Sequence, residues 1–156
     1  MKAKKAYLFW IILSLAVGGL SALLSREGMK IFDTQLVKPM LAPPAWLFPV
    51  VWSVLYVLMG IGAARISLSA PSKERSQGLN LFVAQLIVNF FWSLIFFNAQ
   101  AFGLGFAWLL LLWGLVLAMI LSFHKTDKPA AYLQIPYLLW LTFAAWLSYG
   151  IWQLNP

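Results

Sequence analysis

The sequence predicts an all-α integral membrane protein, a bundle of five transmembrane helices, and three observations carry that expectation. Of 156 residues, 63% are hydrophobic and 10% are charged, against about 25% charged in an ordinary globular chain. The apolar residues gather in five runs, each near the ~20 residues needed to cross a bilayer. The charged residues lie in short segments between those runs or close to their ends. Together the runs are expected to form a single domain over residues 1–156, with spans at about 7–25, 44–68, 79–97, 102–123 and 130–154.

The first span follows a basic start, MKAKKAYLFW, which mimics a signal peptide. Its apolar run is longer than a signal core, so it is expected to stay as a helix, although Gly18, Gly19, Ser21 and Ala22 could pass for a cleavage region. Ser14, Gly18 and Ala22 recur at four-residue spacing, and such small residues admit either another helix or a ligand. Residues 26–43 read as a loop, stiffened toward its end by Pro39 and Pro43, since proline fixes φ and lacks an N–H. Pro44 suits the first turn of the second span. In that span Phe48, Trp52 and Tyr56 share one face. Pro49 interrupts the same helix, where a kink or a bound polar group is expected. An aromatic stripe under a stiff lid fits a flat apolar ligand, and it equally fits plain packing.

The third span carries Gln85, Asn89 and Trp92 on one face. An amide inside a membrane needs a partner, which is either a neighbouring helix or a ligand carbonyl or carboxylate. Residues 98–103 carry no charge, but the apolar run around them is too long for one span, so a tight helical hairpin is expected there. In the fifth span Pro136, Trp140 and Ala144 lie one turn apart and Ser148 continues the line. A bulky ring beside a small residue makes a ledge and a slot. Trp10, Trp46 and Trp152 sit near span ends and fit the interfacial aromatic belt. Trp52 lies roughly 12 Å below the nearer surface, and Asn89 and Trp140 about 15 Å into their spans. These residues, with Gly18 and Ala22, can converge on one cavity between the midplane and the leaflet on the 26–43 side, with that loop over its mouth.

Five spans put Lys2, Lys4, Lys5, Arg65, Lys73, Arg75, Lys125 and Lys128 on one side and Arg26, Lys30 and Lys38 on the other. In a bacterial cell membrane the positive-inside rule then makes the N-terminus cytoplasmic. The net charge of +7 is read as orienting helices and meeting lipid phosphates, not nucleic acid. Without cysteine there is no disulfide framework. No Asp, Glu, Lys, Arg or His lies deep in a span, as pumps and proton relays usually require. His124 stands at a span end beside Lys125. No motif for metal, phosphate, dinucleotide or nucleophilic catalysis is present, so no cofactor and no conventional catalytic constellation is expected.

The segments PPAWLFPVVWSVLYVLMG, QLIVNFFWSLIFF and PYLLWLTFAAWLSYGIWQLN resemble the TspO family, the tryptophan-rich sensory proteins of bacteria and the translocator proteins, or peripheral benzodiazepine receptors, of animals. The resemblance implies a five-helix bundle, commonly a homodimer, with a ligand site between the helices beneath the first loop. It implies binding of protoporphyrin IX or a related tetrapyrrole, of other hydrophobic small molecules, and of benzodiazepine-receptor drugs, and it associates bacterial members with light- and oxygen-dependent porphyrin breakdown. By motif, Trp52 and Trp140 match the tryptophans linked to porphyrin binding and breakdown. Asn89, Trp92 and Ala144 match positions in the ligand site, and Pro43 and Pro44 match the lid. Two departures stand out. The sterol pattern of animal members ends in a basic residue, and none follows Tyr149 here. Trp108 stands where animal relatives carry an acid. Sensing, scavenging or degrading a tetrapyrrole is thus the first functional expectation. Carrying a porphyrin across the bilayer, and an interaction protein whose tryptophans only pack, are the alternatives.

Overall fold

The structure, a computed structural model, describes residues 2–40, 42–44 and 46–155. Leu41 in the expected lid and Ala45 in the expected second span therefore lie outside the described residues. Among the described residues seven α-helices run α1 (Lys2–Leu24), α2 (Arg26–Gln35), α3 (Leu47–Ser67), α4 (Lys73–Ser93), α5 (Phe102–Thr126), α6 (Lys128–Tyr132) and α7 (Ile135–Leu154). A π-helical turn, Leu94–Asn98, extends α4. Five units are long and apolar enough to cross a membrane: α1, α3, α4 with its π turn, α5, and α6 with α7. The protein is an all-α bundle of five membrane-spanning helices, as its composition required.

Around the bundle the order is α3, α1, α4, α5, α7. The closest pairing is α1 with α3, because glycines let the backbones approach. A Cβ on Gly60 would run into the Ile11 backbone, and one on Gly18 would run into the Tyr56 ring. The outward faces stay apolar, with Leu8, Phe9, Ile12, Val54, Leu110 and Leu139 all exposed, as hydrocarbon permits and water would not.

The structure redraws several expected boundaries. The 26–43 segment is largely helical: α2 occupies most of it. The charges at Arg26, Glu27, Lys30 and Asp33 disguise an amphipathic pattern in which Gly28 and Phe32 are buried. Ten residues make a marginal helix alone. Packing stabilises this one, since Phe32 meets Phe97 at 5.3 Å and Phe48 at 6.0 Å between ring centroids.

Pro44 precedes α3 and is not in its first turn; its carbonyl accepts from the Leu47 N–H at 3.0 Å. Pro49 falls in that first turn, where no N–H is required, so it breaks no helical hydrogen bond. The third span begins earlier than expected, with Ser72 capping α4 by accepting from the Arg75 N–H. The 98–103 connection is a tight hairpin in which Gln100 takes a positive φ of 52°. The last span is two helices. Pro136 has no N–H to give the Tyr132 carbonyl, and the chain turns at Leu133–Gln134 before α7 begins. Asp127 caps the short α6 by accepting from the Ala130 N–H at 3.0 Å.

Candidate functional site

Four membrane-spanning helices and α2 enclose a cavity of about 160 Å³ at the lid end of the bundle. From α1 come Gly18, Ser21 and Ala22, from α2 Met29 and Phe32, and from α3 Phe48, Pro49, Trp52 and Tyr56. From α4 and its π turn come Asn89, Trp92, Ser93, Phe96 and Phe97, and from α7 Trp140, Ala144, Leu147 and Ser148. The small residues make room where the rings stand. Gly18 leaves space for Tyr56, and Ala144 follows Trp140 by one helical turn.

Of the residues singled out in the sequence, Gly18, Ala22, Phe48, Trp52, Tyr56, Asn89, Trp92, Trp140 and Ala144 all line this cavity. Gln85, Pro43 and Pro44 do not. Gln85 is fully buried and is occupied elsewhere. The Tyr56 hydroxyl donates to Asn89 Oδ1 at 3.0 Å, Asn89 Nδ2 donates to the Tyr137 hydroxyl at 2.6 Å, and Tyr137 donates to Gln85 Oε1 at 2.8 Å. Gln85 Nε2 lies 3.9 Å from Met59 Sδ. The two amides therefore satisfy each other's helices, which answers the need for partners in a low-dielectric interior. Pro43 is half-buried and Pro44 exposed, both outside the cavity wall.

The aromatic faces are held by edge-to-face contacts. Phe48 meets Trp140 at 5.9 Å and 71°, and Trp52 meets Tyr137 at 6.0 Å and 74°. Trp92 stacks on Phe96 at 5.1 Å and 21°. Against this apolar wall stand three polar atoms that are buried without a partner within the protein: Trp92 Nε1, Trp140 Nε1 and Ser148 Oγ. Each such group costs about 1–3 kcal/mol while unpaired. Among the described residues no group of three His, Cys, Asp or Glu could hold a metal ion.

Several lining residues escaped the sequence reading. Met29 and Phe32 carried a signal, an i, i+3 apolar pair within a charged stretch. Phe96 and Phe97 carried none, because a π turn re-aims the side chains that follow the regular helix. Of the six tryptophans outside the cavity lining, four were singled out in the sequence. Trp46 is exposed and Trp152 partly so. Trp10 packs edge-on against Phe82 at 5.5 Å, and Trp108 Nε1 donates to the Val88 carbonyl at 2.7 Å, tying α5 to α4. His124 is exposed, 3.5 Å from the Tyr132 hydroxyl.

The TspO/MBR family model matches residues 10–153. The chain is 39% identical over 145 residues to the tryptophan-rich protein TspO of Chlorobaculum tepidum, covering 92% of each. It is 42% identical over 122 residues to the protein CrtK of Rhodobacter capsulatus, covering 78% of this chain and 76% of the relative. It is 40% identical over 131 residues to the translocator protein of Ovis aries, covering 83% and 77% respectively.

Proposed function

Because the chain belongs to the TspO/MBR family, we propose that it binds a tetrapyrrole such as protoporphyrin IX in the cavity beneath α2 and serves a bacterial cell membrane as a sensor or scavenger of that ligand. The observation that carries this reading is the set of three indoles, Trp52, Trp92 and Trp140, brought from three helices to one apolar cavity. Flat π-systems stack on indoles or meet them edge-on. The Trp92 and Trp140 N–H groups and the Ser148 hydroxyl are buried without a partner in residues that line the cavity, and a movement of the wall that uncovered them would let carbonyl or carboxylate oxygens at the rim of such a ring accept from them. The same cavity would accept other hydrophobic small molecules that carry an acceptor, including benzodiazepine-receptor drugs.

Under illumination this placement supports a second consequence. A bound, light-excited porphyrin passes its energy to dioxygen beside Trp52 and Trp140, and proximity raises the effective concentration of the reacting partners. The chain's part is to hold the ring and exclude water.

The cavity of about 160 Å³ is smaller than the roughly 300–1,000 Å³ of sites that enclose drug-sized ligands. Binding a tetrapyrrole therefore requires part of the wall to move outward. Titration of the purified protein with protoporphyrin IX tests the reading. Tryptophan fluorescence should be quenched saturably, and Trp140→Ala should weaken the binding far more than Trp10→Ala, which alters a contact with Phe82 outside the cavity. Equal effects of the two substitutions would mean nonspecific partition into the detergent micelle and would overturn the proposal.

A further inference from the structure

Two stretches of the cavity's boundary are built differently. Over its mouth lies α2, fastened by directional bonds. Asn98 Nδ2 donates to the Leu24 carbonyl at 2.7 Å, at the start of the lid. At its far end the Asn155 side chain pairs with the backbone of Val37, accepting from its N–H at 3.2 Å and donating to its carbonyl at 2.8 Å. Between these ties Phe32 is buried among Phe48, Phe96 and Phe97.

The second stretch is the seam between α3 and α7. These helices are neighbours in the bundle, yet their backbones hardly approach one another. Away from the lid the seam is closed. Arg65 Nε donates to Asp127 Oδ2 at 2.7 Å, Gln134 Nε2 donates to the Leu58 carbonyl at 3.0 Å, and a Cβ on Gly62 would run into Gln134. Toward the lid the character changes. Among the described residues no hydrogen bond joins α3 to α7 beyond Gln134, and rings meet across the gap, Phe48 on Trp140 and Trp52 on Tyr137.

Outside those rings lies a shallow apolar groove of about 490 Å³, opening between the exposed side chains of Val50, Val54 and Leu139. Trp140 lines both this groove and the inner cavity. Its ring is thus the partition between them, and its buried Nε1 has no hydrogen bond to hold it in place. Swinging it aside breaks ring contacts with Phe48 and Phe143 and no hydrogen bond, whereas lifting α2 breaks hydrogen bonds and exposes Phe32.

We infer that a planar hydrophobic ligand enters the cavity sideways, from the hydrocarbon of the lid-side leaflet through the α3–α7 seam, with the Trp140 ring as the gate. This rests on the tetrapyrrole-binding reading above. An apolar ligand is concentrated in the bilayer, and the groove meets it there without passing water.

The chain has no cysteine, so introduced thiols are the only ones present. The double variant Val54→Cys, Leu139→Cys is placed in lipid nanodiscs and bridged with a bifunctional methanethiosulfonate that reductant removes. Quenching by protoporphyrin IX is then followed by stopped flow. A route does not alter its end states, so bridging should slow association and dissociation together by about tenfold while leaving Kd within about twofold. Reduction should restore both rates. Bridging Val37→Cys to Asn155→Cys, which locks the lid, should leave both rates within about twofold. Val54→Trp, which fills the groove without a cross-link, should slow both rates as well. Unchanged rates with the seam bridged and the groove filled, or slowing by the lid bridge alone, would overturn the portal. Absence of saturable quenching in the unbridged protein would instead overturn the binding reading, and the portal with it.

Discussion

Trp52 and Trp140 line one cavity from neighbouring helices, α3 and α7, and each meets another ring edge-on rather than a hydrogen-bond partner. An indole is more easily oxidised than a phenyl ring, while both offer an aromatic surface. Trp52→Phe and Trp140→Phe should therefore keep protoporphyrin IX binding within a few-fold. Each should lower the rate of light-driven porphyrin loss by about an order of magnitude, since proximity to the oxidisable ring is what the site contributes. Absorbance decay under illumination checks this, with dark and oxygen-free controls in which decay should stop. A double phenylalanine variant with undiminished light-driven turnover would remove the tryptophans from the chemistry. Turnover in the dark would overturn the photochemical reading.

The short α6 is held by polar contacts at its start. The Asp127 carboxylate caps α6 through the Ala130 N–H and receives the Arg65 guanidinium from α3 at 2.7 Å, so one residue joins three helices. The Arg65 hydrogen bond and the Ala130 N–H hold the Asp127 carboxyl below its ordinary value, against the opposing effect of burial. A depressed folded-state value means that this stabilisation is present in full above the ordinary carboxylate value of about 3.9. It is lost as pH falls through the lower folded-state value. Asp127→Asn can keep the cap but loses the ion pair. Because the pair is partly exposed, with side chains 37% and 23% accessible, the loss should be at most about 1 kcal/mol. In thermal melts the variant should be less stable than the parent near neutral pH, and the difference should vanish under strong acid. A difference that persists unchanged in acid would show that the ion pair is not its source.

At the scale of the molecule, five spans force the two chain ends to opposite faces of the membrane. The lid end then carries Arg26, Lys30 and Lys38, and the opposite end the greater number of basic residues. In a bacterial cell membrane the lid should face outward and the N-terminus the cytoplasm. Met40, almost fully exposed beside the lid, and Lys4, exposed near the start of α1, supply the test. In intact cells a membrane-impermeant maleimide should label Met40→Cys and spare Lys4→Cys. The reverse pattern would invert the orientation.

Much of this architecture was legible in the residues alone, because it follows from solvation of the backbone. Apolar runs near 20 residues have no favourable state in a bilayer other than a helix, so the five spans were determined by composition and run length. The periodicity of 3.6 residues then put Trp52 with Tyr56, Asn89 with Trp92 and Trp140 with Ala144 on common faces. Other features depended on contacts between distant segments. That Gln85 and Asn89 bond to a neighbouring helix depends on Tyr137, whose hydroxyl stands between them from another helix. The charged 26–35 stretch became a helix because Phe32 found three phenylalanines to pack against, energy that no local pattern contains. The π turn that aims Phe96 and Phe97 into the cavity, and the loosely packed seam that leaves Trp140 as a partition, are likewise properties of the assembled bundle. They arise from which faces come together and how closely, and side-chain periodicity along one helix carries no information about the distance to the next.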